Sequence, residues 1–171
     1  MKNISNFYQV KDYLPLLNAI LITDLLIIFL LIIRVIKSEV LKEWYREFNL
    51  SAVIADVLII FIGFIITRYI YKFIFSEYNI VTFLLLAVFV QIVHDILFYF
   101  LFTIIPTGKN KMIDVFKKYG KEVGYKAILA DSSMMIIAGI TASILSGFNL
   151  NTNLIILILT VYIIPYAIYT F

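Results

Sequence analysis

The chain has 171 residues, of which 63% are hydrophobic and 15% are charged, and its mean hydropathy is +1.03. Soluble domains are about half apolar and a quarter charged, so this composition excludes an ordinary soluble protein and predicts one integral membrane domain over residues 1–171. The net charge of +3 is small, and the absence of cysteine excludes disulfides, thiolate metal sites and a cysteine nucleophile.

Five apolar segments have the length of about 17–25 residues that a helix needs to cross a bilayer. They cover residues 14–36, 50–73, 80–105, 126–146 and 153–171. The sequence therefore predicts an all-α fold, a polytopic transmembrane bundle of about five spanning helices. Pro165 lies inside the last segment and predicts a kink there, which leaves four spanning helices plus one as the alternative.

Two connections between these segments have the pattern of amphipathic helices. In residues 38–50, apolar side chains including Trp44 and Tyr45 recur at helical spacing between charged ones, and residues 110–125 repeat the pattern beneath a row of lysines. Basic amphipathic helices can bind anionic lipid, so contact with anionic lipid at both stretches is one hypothesis. The alternative is a solvated connector that only lies along the bilayer.

Lysine and arginine are distributed unequally over the two ends of the predicted bundle. Four lie in the N-terminal segment and the second connection, namely Lys2, Lys11, Arg68 and Lys72. Ten lie in the first and third connections, namely Arg34, Lys37, Lys42, Arg46, Lys109, Lys111, Lys117, Lys118, Lys121 and Lys126. Basic residues concentrate on the cytoplasmic side, so the N-terminus is predicted outside and the C-terminus in the cytoplasm.

Four of the apolar segments each contain an aspartate, and the only histidine lies beside one of them: Asp24, Asp56, His94, Asp95 and Asp131. A charged side chain in hydrocarbon costs about 2.5–3.5 kcal/mol on insertion scales, so such residues normally face a bundle interior and serve a function. At about 1.5 Å of rise per residue, all four aspartates lie between the cytoplasmic boundary and the midplane. The sequence therefore predicts one intramembrane polar cluster.

Two kinds of chemistry suit this cluster. Carboxylates bind hard divalent cations, with Asp24, Asp56, Asp95 and Asp131 as the candidate ligands, or they relay protons. Nearby polar side chains would support the site: Tyr99, Ser132, Ser133 and Arg34. The alternative is structural: Asp56 and Asp131 start their helices and pair with Arg34 and Lys126, and His94 makes an interhelical hydrogen bond.

An internal duplication is a further hypothesis. Residues 22–29 and 54–61 share six of eight residues, and residues 93–100 resemble both. Because neighbouring helices run antiparallel, the repeated unit would be a hairpin, with Asp24 equivalent to Asp95 and Asp56 equivalent to Asp131. Parallel repeats of this kind occur in transporters. Coincidence in a sequence rich in Leu, Ile and Phe is the alternative.

The sequence of residues 93–133 is similar to that of a known group of membrane proteins at several positions. The matching positions are His94-Asp95-x-Leu97-Phe98-Tyr99, Pro106-x-Gly108-x-Asn110, Asp114-x-Phe116-x-x-Tyr119-x-x-Glu122-Val123-Gly124 and Leu129-Ala130-Asp131-Ser132. This segment resembles small multi-pass membrane proteins of large cytoplasmic DNA viruses. The resemblance implies a virion inner membrane or a host-derived membrane at the assembly site, and it transfers no catalytic residue.

Three classes of function remain. The first is a viral membrane scaffold or assembly component whose buried acids join helices; the second is a small cation or proton channel or transporter using Asp24, His94 and Asp95. The third is a metal-dependent membrane enzyme acting on a lipid head group, which is not favoured because the chain has no phosphate-binding loop, zinc-protease or serine-hydrolase motif. The predicted partners are the bilayer and a second copy of the chain, and no nucleic acid.

Overall fold

The computed structural model describes residues 1–171 and contains helices but no strands. A short 3-10 turn (Val10–Asp12) leads into seven α-helices: α1 (Tyr13–Ile32), α2 (Glu39–Phe48), α3 (Leu50–Ile74), α4 (Ile80–Ile104), α5 (Lys111–Val123), α6 (Lys126–Leu145) and α7 (Leu150–Ile168). Five of them, α1, α3, α4, α6 and α7, are long and apolar enough to cross a membrane. The predicted helical membrane bundle is confirmed, and α2 and α5 are the two predicted amphipathic helices.

Four of the spanning helices form a closed ring. Each packs on two neighbours in the order α1–α3–α4–α6, and α6 returns to α1 in the most extensive contact of the molecule. α7 lies outside this ring, mainly against α1. α2 and α5 pack on each other across one end of the ring, named here the α2/α5 end, and the N-terminal residues lie at the opposite end.

Apolar side chains fill the ring where its helices approach most closely. Phe64, Phe83 and Met135 are fully buried there. Gly139 of α6 allows this approach: a Cβ atom at this position would lie 2.3 Å from Cδ2 of Leu84, so the Leu84 side chain would have to move. Small residues at helix interfaces let membrane helices pack at short range, and the α4–α6 contact is of this kind.

The ends of two helices differ from the prediction. α1 stops at Ile32 and not at residue 36, because Arg34 takes a left-handed backbone conformation with φ 62°. α7 begins at Leu150 rather than residue 153, because the side chain of Asn149 accepts a hydrogen bond from the backbone N–H of Thr152 at 2.8 Å and caps the helix. α7 also continues past Pro165 to Ile168.

The four ring helices pack in the order that is expected if α1–α2–α3 and α4–α5–α6 are two copies of one hairpin. A two-fold rotation about the ring axis would exchange α1 with α4, α2 with α5 and α3 with α6 while preserving every neighbour in the ring. The joints agree: Asn49 between α2 and α3 has φ/ψ of 49°/−126°, and Gly124 between α5 and α6 has 55°/−131°. Each joint is followed at the same distance by Ala-x-x-Ala-Asp, which ends at Asp56 and at Asp131.

Candidate functional site

Two of the intramembrane aspartates are joined by one side chain from α2. The Tyr45 hydroxyl oxygen lies 3.1 Å from Oδ1 of Asp24 on α1 and 3.1 Å from Oδ2 of Asp56 on α3. The indole N–H of Trp44 donates to the same Asp56 oxygen at 3.0 Å. Asp24 is completely buried, and Tyr45 is only 1% exposed. This arrangement, named here the Tyr45 bridge, ties α1, α2 and α3 together at the α2/α5 end.

α5 holds α2 in the position that makes the bridge. The Glu122 carboxylate accepts hydrogen bonds from the Ser38 hydroxyl at 2.9 Å and from the backbone N–H groups of Glu39 and Val40 at 3.0 and 3.2 Å. A negative charge at a helix N-terminus satisfies free N–H groups and interacts favourably with the helix dipole. Lys118 also pairs with Glu43 at 2.5 Å. α2 is therefore fixed on its outer side while Trp44 and Tyr45 point into the ring.

The burial of Tyr45 keeps its hydroxyl protonated. Desolvation, followed by the charges of Asp24 and Asp56, raises the pKa of this phenol well above its usual value. The ring of Tyr45 also stacks on Phe171 beyond the end of α7, with 5.9 Å between centroids and 16° between planes. The phenol is thus protonated at neutral pH, and its ring is fixed in position by packing, so its hydroxyl can donate a hydrogen bond.

Asp95 finds its partners on its own helix. Its Oδ1 atom accepts from Nε2 of Gln91 at 2.7 Å and lies 3.2 Å from Nδ1 of His94. The His94 ring stacks on Phe98, with 5.6 Å between centroids. The hydrogen bond of His94 therefore lies within α4, and not between helices as the structural alternative proposed. Oδ2 of Asp95 is buried without a hydrogen-bond partner.

Tyr119 of α5 lies near Asp131, the remaining aspartate. Asn49 and Gly124 are the equivalent joints of the two halves. Tyr119 lies as far before Gly124 as Trp44 lies before Asn49, so Tyr119 is the equivalent of Trp44 in the second half of the chain. Burial is the main cause that raises the pKa of Tyr119 above its usual value, and the other causes are the nearby carboxylates of Asp131, Asp56, Glu122 and Asp95. A protonated phenol therefore lies near acids at the α2/α5 end in each half, and only that of Tyr45 is hydrogen-bonded to them.

The four aspartates do not form one metal centre. No three or more His, Asp or Glu side chains come together in a way that could hold a metal ion. Instead, Asp24 and Asp56 share the Tyr45 bridge, Asp95 bonds within α4, and Asp131 lies near Tyr119. The divalent-cation site expected at Asp24, Asp56, Asp95 and Asp131 is absent as a single cluster.

The side chains expected to support the cluster lie mostly elsewhere. Tyr99 and Ser133 are exposed, and the Ser133 hydroxyl donates to the Leu129 carbonyl at 2.8 Å. Ser132, beside Asp131, has a buried hydroxyl oxygen without a partner. Arg34 is exposed, and neither it nor Lys126 belongs to any of the four ion pairs of the protein, so the expected pairs with Asp56 and Asp131 do not form.

The sequence pattern identified Trp44 and Tyr45 only as apolar positions of an amphipathic helix and missed their role as partners of the acids. One signal could have found the first of them. Trp44 lies 12 residues before Asp56, and an aromatic residue, Tyr119, stands at the same distance before Asp131. Tyr45 has no such signal, because Gly120 takes its place in the second half.

At the opposite end, a buried arginine holds the N-terminal residues. Arg68 is 1% exposed, donates to the backbone carbonyls of Asn6 and Gln9, and lies 3.7 Å from Asp12. Its guanidinium also lies 4.2 Å from the centre of the Tyr13 ring, a cation–π contact. Its role there is to anchor the N-terminal segment on α3.

Comparisons with known proteins give no relative for this chain. It matches no protein-family model, no curated protein and no solved structure. Three features of the molecule bear on its function: the Tyr45 bridge, the filled interior of the ring and the basic α2/α5 end.

Proposed function

We propose that this chain is a multi-pass membrane scaffold in which the intramembrane Asp24 and Asp56 hold helices together. The Tyr45 bridge is the observation that carries the proposal. Asp24 and Asp56 have hydrogen-bond partners from the protein itself, and through them α1, α2 and α3 become one unit. Polar side chains joined in this way stabilise helix contacts inside a bilayer, where few other partners exist.

The packing of the ring also supports a scaffold. A conductor needs a hydrated route along the bundle, but Phe64, Phe83 and Met135 are fully buried and fill the ring between Gln91 and the Arg68 end. An enzyme acting on lipid head groups through a metal would need clustered ligands, and none are clustered. Both alternatives therefore have less support than the scaffold.

The α2/α5 end provides the surface on which such a scaffold would act. We infer that this end faces the cytoplasm, because it carries ten of the fourteen Lys and Arg residues. Eight of the ten are exposed: Arg34, Lys37, Arg46, Lys109, Lys111, Lys118, Lys121 and Lys126. Near a membrane surface each can contribute about 1 kcal/mol to the binding of anionic lipid. The viral resemblance would place this surface in a virion or host-derived membrane during assembly.

The test is a comparison of flux and folding in the same protein. The chain is reconstituted into liposomes that contain a pH-sensitive dye, and a proton or potassium gradient is applied. The scaffold is expected to pass no more ions than protein-free liposomes, and Asp95→Asn is expected to insert and unfold like the unchanged protein. Flux that Asp95→Asn abolishes without loss of folding would refute the scaffold and establish the conductor.

A further inference from the structure

The Tyr45 bridge contains one hydrogen atom too few for two ionised carboxylates. A tyrosine hydroxyl has one hydrogen to donate, yet its oxygen lies 3.1 Å from a carboxylate oxygen on each side. If both aspartates were ionised, one of these contacts would set the lone pairs of the hydroxyl against a negative oxygen. Both contacts become hydrogen bonds when one of the two carboxyl groups carries a proton.

We propose that Asp24, Tyr45 and Asp56 form a proton-binding site that keeps one proton on Asp24, and that this proton holds α2 on the ring. In this arrangement Asp24 donates to the Tyr45 oxygen, and Tyr45 donates to Oδ2 of Asp56. Trp44 donates to the same Asp56 oxygen, so the ionised carboxylate has two donors. The inference does not depend on the scaffold role.

The proton is assigned to Asp24 because of its surroundings. Asp24 is completely buried, and its Oδ2 atom has no hydrogen-bond partner, which is the poorer environment for a negative charge. Asp56 is only half-buried and receives both donors. A neutral Asp24 and an ionised Asp56 therefore satisfy the geometry on both sides of Tyr45.

No cation compensates the pair. None of the four ion pairs of the protein includes Asp24 or Asp56. The groups near the site on the neighbouring helices are acidic or neutral: Asp131 of α6, Tyr119 of α5 and the Phe171 ring beyond α7. Asp95 of α4 lies near Asp131 and Tyr119 and is also an acid. The basic side chains of α2, Lys42 and Arg46, lie on its outer side, where Lys42 pairs with Glu39. Ionising both carboxylates would place two unpaired charges in a low-dielectric site.

Loss of this proton is expected to release α2. Once both carboxylates are ionised, a single hydroxyl cannot satisfy them, and the side of α2 that carries Trp44 and Tyr45 no longer fits against α1 and α3. Water then reaches the acids from the α2/α5 end. The ring itself does not depend on α2 for its order of contacts, so the release is local.

Trp44 reports on this site because it is the only tryptophan of the chain. The fluorescence of the full-length protein in lipid nanodiscs is recorded from about pH 5 to about pH 10, a range wide enough to include a strongly perturbed carboxyl. We expect one transition, with the slope of a single proton, to red-shifted emission as the pH rises. Glu47→Gln removes an exposed carboxylate from the same helix and should leave the transition unchanged. Emission that is independent of pH would refute the proposal.

Two variants test the assignment. In Asp24→Asn the side-chain amide can always donate to Tyr45, so the emission should remain in its low-pH form throughout. In Asp56→Asn only one carboxylate is left, which the Tyr45 hydroxyl can satisfy, so the transition should also be lost. A transition that persists unchanged in both variants would overturn the proposal.

Infrared spectroscopy tests the proton without relying on α2. At neutral pH the unchanged protein should show a carbonyl stretching band of a protonated carboxyl group that is missing in Asp24→Asn and retained in Glu47→Gln. If the spectra of the protein and of Asp24→Asn do not differ in this band, Asp24 carries no proton and the inference is wrong.

Discussion

At the scale of single residues, the hydroxyl of Tyr45 makes the only hydrogen bond of the Asp24 side chain and one of the two to the Asp56 side chain. Tyr45→Phe keeps the ring and its stacking on Phe171 but leaves Asp24 without any partner. A buried polar group left unsatisfied costs about 1–3 kcal/mol. The variant should therefore unfold at a lower temperature in detergent, whereas Tyr169→Phe, at a 70% exposed position, should not. Equal unfolding temperatures would show that the bridge does not stabilise the fold.

The stability that Tyr119 contributes to the folded protein is expected to be lost at alkaline pH. Its pKa is raised above the ordinary value of 10.0 by burial and by neighbouring carboxylates. A pKa that is higher in the folded state adds stability below the unfolded pKa, and this stability is lost as the pH rises through the folded pKa. Thermal unfolding should therefore show a decline above about pH 10 that is shallower in Tyr119→Phe. Identical pH profiles would contradict this account.

Gly139 marks the tightest packing in the ring. In Gly139→Val the new side chain would overlap Leu84 and press on Phe64, whose ring atoms lie 3.4 Å from the position of a Cβ atom. Overpacking of this kind typically costs about 1–3 kcal/mol. Leu84→Ala should partly rescue the variant in thermal unfolding, because it removes the atom in conflict. Gly120→Ala is the matched control, since its nearest neighbour, in Phe102, lies at an ordinary 3.5 Å.

At the scale of whole helices, hydropathy predicted the spans closely because length and apolar content alone decide whether a helix can cross a bilayer. The end of α1 was mispredicted because residues 30–36 are almost uninterrupted apolar sequence, and the stop depends on the left-handed backbone of Arg34. Of the partners of Asp24 and Asp56, Trp44 had a signal in its spacing from Asp56, whereas Tyr45 had none. Both contacts depend on how α2 docks between α1 and α3, which no periodicity within α2 encodes.

The contact between α5 and α2 predicts that a substitution on α5 changes the stability of α2. Glu122→Gln on α5 removes the negative charge from the N-terminus of α2 while preserving the shape of the side chain. A negative charge at an exposed helix N-terminus typically contributes about 0.3–1 kcal/mol. Hydrogen exchange of the first backbone amides of α2 should become faster, and exchange in α3 should not. Uniform acceleration over all helices would indicate global destabilisation instead.

At the scale of the whole molecule, the unequal distribution of basic residues predicts the orientation in the membrane. Because the chain contains no cysteine, single cysteines can be introduced without other changes. Lys11→Cys lies at the N-terminal end and Lys111→Cys at the α2/α5 end, and both positions are exposed. In intact cells a membrane-impermeant thiol reagent should label only Lys11→Cys. Labelling of Lys111→Cys alone would reverse the orientation.

The closure of the ring by α1 and α6 determines the timing of its assembly during synthesis. The largest interface joins the first spanning helix to the fourth, and everything from Arg34 to Tyr125 must be translated between them. At about 5–20 residues per second, α1 waits on the order of ten seconds for its main partner. During that interval Asp24 has entered the membrane before Tyr45 is docked against it. During synthesis, α1 with its Asp24 is therefore expected to stay in contact with the insertion machinery until α6 has left the ribosome.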